Sequence, residues 1–200
     1  MSKLVEISRE WEGQTAAIFA SGPSMTREQA ESCRGLRCIA VNNQSFDCAP
    51  WADILWSTDR KWWLQYLARV RELPSRKLSV QIGLAGEGVE YLLPSKKPFD
   101  DRPGYISTGG NSGYAALCLA AKLGAARVLL YGFDMRKVGE RSRRHDYPPN
   151  LNSAPRFHYW LPRFQELAPE LTKRGVEVIN CTPGSALRCF PMQQKAQRVA

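Results

Sequence analysis

Five short stretches of this chain carry side chains that could do chemistry. Ser21-Gly22-Pro23-Ser24 joins a glycine, past which a ligand can approach the backbone, to two hydroxyls. A helix starting just after it would aim N–H groups at a phosphate. The stretch is neither a Walker A loop, since no Gly-Lys-Ser/Thr follows, nor Gly-x-Gly-x-x-Gly. A plain strand-to-helix turn explains it equally well. Ser107 to Gly113 contains Thr108, Gly109, Gly110, Asn111 and Ser112 ahead of a small-residue helical run. Its glycines and hydrogen-bonding side chains exceed what close packing needs, which favours wrapping a phosphate or sugar. Asn42 and Asn43 could read a base or ribose, although turn chemistry also suits asparagine. Asp59 could do the same or simply cap a helix. Asp134, after Gly132-Phe133, could bind a metal, orient a donor, or be a satisfied turn carboxylate.

The two histidines, His145 and His158, are the natural candidates for a general base near neutral pH. A lone histidine is more often structural, but both sit among aromatic and basic neighbours: Arg144 and Tyr147 for one, Phe157, Tyr159 and Trp160 for the other. Arg136, Lys137, Arg141, Arg143 and Arg144 form a basic run that reads as a solvated loop or as a clamp for phosphate or a nucleic-acid backbone. Trp62-Trp63 with Tyr66 at helical spacing reads as core or interface.

Short apolar runs alternate with helical stretches, the pattern of an α/β domain with a mostly parallel sheet and helices on both faces. Strands are expected at 15–20, 37–41, 54–56, 78–82, 127–131 and 176–179, and helices at 26–33, 59–73, 114–123 and 162–174. Thr26 with Gln29 makes a capping box, Gly124 suits a helix end, and Pro169 threatens to split the last helix. Residues 83–104, with their glycines and prolines, read as a loop region or as part of a lid. The organisation expected is an N-terminal extension over 1–14, a single Rossmann-like domain over 15–191 with a mobile basic lid at 136–157, and a polar tail over 192–200. In such sheets ligands bind beyond the carboxyl ends of the strands, where the first, second, third and fifth of these strands would present the polar stretches above.

Composition sets the outer limits. The chain has 200 residues with 44% hydrophobic content, enough for one real core. Disordered, collagen-like and coiled-coil chains are excluded on composition. Its 28 basic residues against 19 acidic leave +9, which favours an anionic partner such as a nucleotide, nucleic acid or acidic glycan. No apolar run is long enough to span a bilayer, and Met1 to Glu12 does not read as an export signal. The six cysteines show no Cys-x-x-Cys, so reduced, packed thiols in a cytoplasmic compartment are expected.

Taken in order, several stretches resemble the bacterial CMP-sialic-acid-dependent sialyltransferases and the related 6-hydroxymethylpterin diphosphokinase-like proteins, many of them phage-encoded. These are Ala20 to Ser24, Val41-Asn42-Asn43-Gln44-Ser45-Phe46, Thr108 to Met135, and Val178 to Ser185 with Phe190-Pro191. The resemblance implies a Rossmann-like domain with a nucleotide at Ser21, Gly22, Pro23 and Ser24 and phosphate or sugar contacts from 108–113. It places His158 as general base, with Asp134 and His145 as further catalytic candidates. Arg143 and Arg144 would meet the leaving phosphate, and Tyr147 is the single tyrosine available to a leaving nucleotide. The implied function is a nucleotide-sugar glycosyltransferase needing no cofactor, acting in the host cytoplasm if phage-encoded, with an acceptor left open that includes modified phage DNA. The diphosphokinase-like relatives imply instead ATP and Mg²⁺ held by Asp59 and Asp134. A non-catalytic nucleotide or nucleic-acid binding module is the alternative from another class, and a homo-oligomer stays open.

Overall fold

A computed structural model describes residues 4–144, 148, 151 and 154–193. Among these residues nine strands form: β1 (Thr15–Phe19), β2 (Arg37–Val41), β3 (Ile54–Ser57), β4 (Arg76–Ser79), β5 (Glu90–Tyr91), β6 (Leu93–Ser95), β7 (Tyr105–Ser107), β8 (Arg127–Tyr131) and β9 (Glu177–Asn180). Five α-helices accompany them: α1 (Arg27–Glu31), α2 (Gln44–Asp47), α3 (Arg60–Val70), α4 (Ser112–Lys122) and α5 (Phe157–Lys173).

The main sheet is wholly parallel in the order β5-β4-β3-β2-β1-β8-β9. This is the α/β, Rossmann-like arrangement expected from the alternation of strands and helices. From β1 the chain winds outward through β2, β3 and β4, then returns to place β8 on the other side of β1. The switch of direction leaves a crevice above the carboxyl ends of β1 and β8, where ligands bind in open sheets.

The side-chain period of 2 in β1 explains the layering. Ala16, Ile18 and Ala20 face one core, which α4 and α5 cover. Ala17 and Phe19 face another, which Ala30 and Cys33 close. α4 is buried along most of its length because its run of Ala and Leu exposes nothing polar. Tyr114 on α4 meets Phe164 on α5 edge-on, with ring centroids 5.2 Å apart. Trp62 and Trp63 are buried, as their spacing suggested, and the six cysteines are unpaired, five of them buried. No helix of the described residues is long and apolar enough to cross a membrane.

Four elements differ from expectation. β4 begins at Arg76 and ends at Ser79, because pairing with β3 sets Ile54 opposite Arg76 and Ser79 opposite Ser57. The region 83–104 is not merely loop: a 3-10 turn over Ile82–Glu87, the edge strand β5 and the strand β6, which pairs with β7 just beyond it, occupy it. The short α2 was not anticipated. α5 starts at Phe157, five residues before the expected start at Pro162, and runs unbroken through Pro162 and Pro169. Its apolar stripe of Phe157, Trp160, Leu161, Phe164, Leu167 and Leu171 packs on the sheet, and that burial outweighs the backbone bonds the prolines omit.

Candidate functional site

The crevice at the switch point opens into a cleft of about 610 Å³, a volume typical of small-ligand sites. Its floor is the first backbone turn after β1, held down on the turn after β8. Ala20 N–H donates to the Tyr131 carbonyl at 2.8 Å and Gly22 N–H to that of Gly132 at 2.9 Å. Glycine is required at 22, since a Cβ there would overlap both the Gly132 carbonyl and the Asp134 carboxylate. Gly132, at φ 72°, is required for the same close approach to Ala20.

One wall is the start of α4. Asn111 caps it, its side chain accepting from Tyr114 N–H at 3.0 Å. Gly110, Asn111, Ser112 and Gly113 line the cleft there. Glycine at 109 and 110 supports the positive φ of the approach, 52° and 69°. Ser112 Oγ lies 2.7 Å from Thr58 Oγ1 and accepts from Thr58 N–H, which locks the α4 start to the end of β3. The positive end of an eleven-residue helix therefore faces the cleft.

The opposite walls come from the ends of β2 and β3 and from the start of α5. Asn42 and Met135 both line the cleft in left-handed backbone conformations, at φ 54° and 51°. Asn42 Oδ1 is buried with no hydrogen-bond partner among the described residues. Asp59 lines the cleft while capping α3, its Oδ1 accepting from Lys61 N–H at 2.8 Å. Phe157 and Trp160 contribute aromatic surface, and Trp160 Nε1 donates to the Gly110 carbonyl at 3.0 Å. Among the described residues, Arg60, Arg143 and Arg156 reach the lining against a single carboxylate, Asp59. The cleft therefore favours an anion.

The structure sorts the residues expected here from sequence. Ser21, Gly22, Asn42, Asp59, Gly110, Asn111, Ser112, Gly113 and Arg143 line the cleft. Others support it from behind. Ser24 donates from Oγ to Asp134 Oδ2 at 2.9 Å, with Pro23 in the turn between Gly22 and Ser24. Asn43 turns into the core, accepting from Trp62 Nε1 at 2.7 Å. Thr108 and Gly109 shape the approach to α4 without lining the cleft. Arg144 bonds the Met25 carbonyl through its guanidinium and the Ser21 carbonyl through its N–H, so it braces the first loop. His145 and Tyr147 lie outside the described residues.

Two catalytic candidates are not brought to the cleft. Asp134 is 2% exposed, lies beneath Gly22 and is absent from the lining. Burial pushes its carboxyl above the usual range, against the pull of Ser24. Asp59 and Asp134 therefore do not share a wall, and the pair does not fit a Mg²⁺ site opening to the cleft. His158 is exposed on α5 and also absent from the lining, because the neighbouring Phe157 takes the inward position. Sequence reasoning missed Arg60, Gln81, Met135 and Arg156, and singled out Phe157 and Trp160 only as aromatic neighbours of His158. The signal for Phe157 and Trp160 was the apolar spacing 157-160-161-164, which continues the α5 stripe upstream of Pro162.

No family model, curated protein or solved structure matches the chain.

Proposed function

We propose that the chain is a nucleotide-dependent transferase that moves a sugar from a nucleotide-sugar to a hydroxyl acceptor. The observation carrying this reading is the cleft above β1 and β8, lined by the glycine-rich start of α4 and by arginines. In this reading the α4 N-terminus and Arg143 hold the donor phosphates. Asn42 Oδ1 accepts from a hydroxyl or amino group of the nucleoside.

Transfer forms a bond from the acceptor oxygen to the anomeric carbon. The bond from that carbon to the nucleotide phosphate breaks, and its electron pair leaves on the phosphate oxygen beside the arginines. The acceptor proton passes to Asp59, the carboxylate on the cleft wall, whose Oδ2 is not used in capping. Asp59 takes the base role here in place of His158.

Thermal shift with CMP, UMP, GDP and ATP and with matched nucleotide-sugars, each with and without Mg²⁺, tests the reading. A pyrimidine nucleotide should stabilise the protein without metal, by about 2.7 kcal/mol at a hundredfold excess over Kd. A shift with ATP and Mg²⁺ alone would replace glycosyl transfer with diphosphoryl transfer. Asp59→Asn keeps an α3 cap, since asparagine caps as well as aspartate, yet should lower the transfer rate by about 10²-fold or more. His158→Ala should keep the rate within a few-fold.

A further inference from the structure

We propose that the solvent face of α5 from Arg156 to Arg163 is the track on which a single-stranded nucleic-acid acceptor lies, one nucleotide of which enters the cleft. The inference rests on the transferase reading for what the cleft does with that nucleotide. The track itself stands on separate observations.

The first is where arginine charge is left uncompensated. Arg9, Arg34, Arg37, Arg69, Arg71, Arg76, Arg102, Arg127 and Arg174 each pair with a carboxylate. Arg60, Arg156 and Arg163 pair with none among the described residues, as is also true of Arg27, Arg136, Arg141, Arg144 and Arg188; Arg60 and Arg156 line the cleft and Arg163 stacks on the same ring as Arg156.

The second is how two of these arginines are held. The Tyr159 ring, 37% exposed, carries the Arg156 guanidinium at 4.9 Å and that of Arg163 at 4.4 Å from its centroid. A guanidinium stacked on a ring loses less freedom on binding phosphate; Arg163, whose Nε is buried, keeps its terminal amino groups for that contact. Because both guanidiniums lie within 4.9 Å of one ring centroid, they are less than about 10 Å apart, a separation that neighbouring phosphates of one strand can match.

The third is continuity with the cleft. A Cβ on Gly110 would come within 2.9 Å of Tyr159 Cε1, so the ring leans over the α4 approach. Arg156 belongs to both the track and the lining. Phe157 and Trp160 line the cleft just inside and offer faces to one unstacked base. Chemistry on a base or its sugar needs that nucleotide out of a duplex, which selects a single strand. Glu166, one turn beyond Arg163, closes the track with negative charge.

Fluorescence anisotropy of a labelled oligothymidylate, titrated between about 50 and 200 mM salt, tests this. Three to four neutralised phosphates give log K against log salt a slope of about −2 to −3 at roughly −0.7 per phosphate. Arg156→Ala and Arg163→Ala should each flatten the slope by about 0.7 and weaken binding several-fold. Arg127→Ala, the same charge loss at the amino end of β8, should leave the slope alone. Tyr159→Ala should weaken binding with the charge intact. The duplex of the same sequence should bind at least about tenfold more weakly.

The track is overturned if Arg127→Ala flattens the slope as much as the α5 variants do, if heparin or duplex binds as well as the single strand, or if no binding is seen at 50 mM salt. Nucleotide-induced thermal shift is read in parallel on the wild type. Oligonucleotide binding that follows these rules without any nucleotide shift would keep the track and remove the transferase reading.

Discussion

The two ends of the sheet spend their polar groups in opposite ways. At the amino ends of β1, β8 and β9 lies a second cavity of about 330 Å³, and the charged groups around it are paired. Arg174 binds Asp101 and Glu170. Lys122 Nζ donates to the carbonyls of Asp100 and Arg102 at 2.9 and 3.0 Å. Asp100, 1% exposed, accepts from Ser95 Oγ at 2.6 Å and from the Arg102 guanidinium. At the carboxyl ends, among the described residues, Asn42 Oδ1 and Asp134 Oδ1 are buried without partners and Arg60 and Arg156 pair with no carboxylate.

The carboxyl groups register the difference. Arg102, Ser95 and Arg174 hold Asp100 and Asp101 below the usual range, whereas burial drives Asp134 above it. Polar groups that satisfy one another make structure, and polar groups left over make a site.

Substitutions at the two ends should break this contrast unequally. Gly22→Ala should have the largest effect, because its methyl meets the Gly132 carbonyl and Asp134, which have little room to move. A loss of about 3 kcal/mol by chemical denaturation is expected, together with loss of nucleotide binding. Full retention of both would mean that the β1 turn does not need that contact.

Asp100→Asn should come next. It weakens a buried charge-assisted set and should cost about 2 kcal/mol at pH 7 while leaving nucleotide binding intact. The sign of its pH dependence follows from a folded pKa below the unfolded one. The stabilisation is complete above the ordinary carboxylate range and is lost as pH falls below it. The gap between wild type and Asp100→Asn should therefore close on acidification.

Arg174→Ala should cost about 1 kcal/mol or less, because Asp101 is exposed and the pair is screened by salt. Asp134→Asn should have the smallest effect at low pH and an opposite trend. A carboxyl whose folded pKa lies above its unfolded one loses stability as pH rises through that interval. Melting temperatures from pH 4 upward should then move in favour of Asp134→Asn. Parallel curves for the two proteins would show that Asp134 does not carry the buried proton.

Much of this contrast can be read in the residues themselves. The strand pattern of Thr15 to Ala20 and of Arg127 to Tyr131, the helix signals at Thr26 and Gly124, and the position of small and polar residues after strands together dictate a parallel α/β sheet and its ligand-binding rim. Apolar alternation and backbone stereochemistry are local, so one chain suffices to reveal them. Which rim residues face the cleft is not local. Asn42 faces it and Asn43 is turned away to Trp62. Asp59 lines it and Asp134 lies beneath Gly22. On α5 the inward side belongs to Phe157 and Trp160 rather than His158. Successive helix residues point about 100° apart and successive strand residues to opposite faces, so a shift of one position exchanges wall for support. That last rotation is decided by what each element packs against, and only the assembled sheet with α3, α4 and α5 in place supplies those partners.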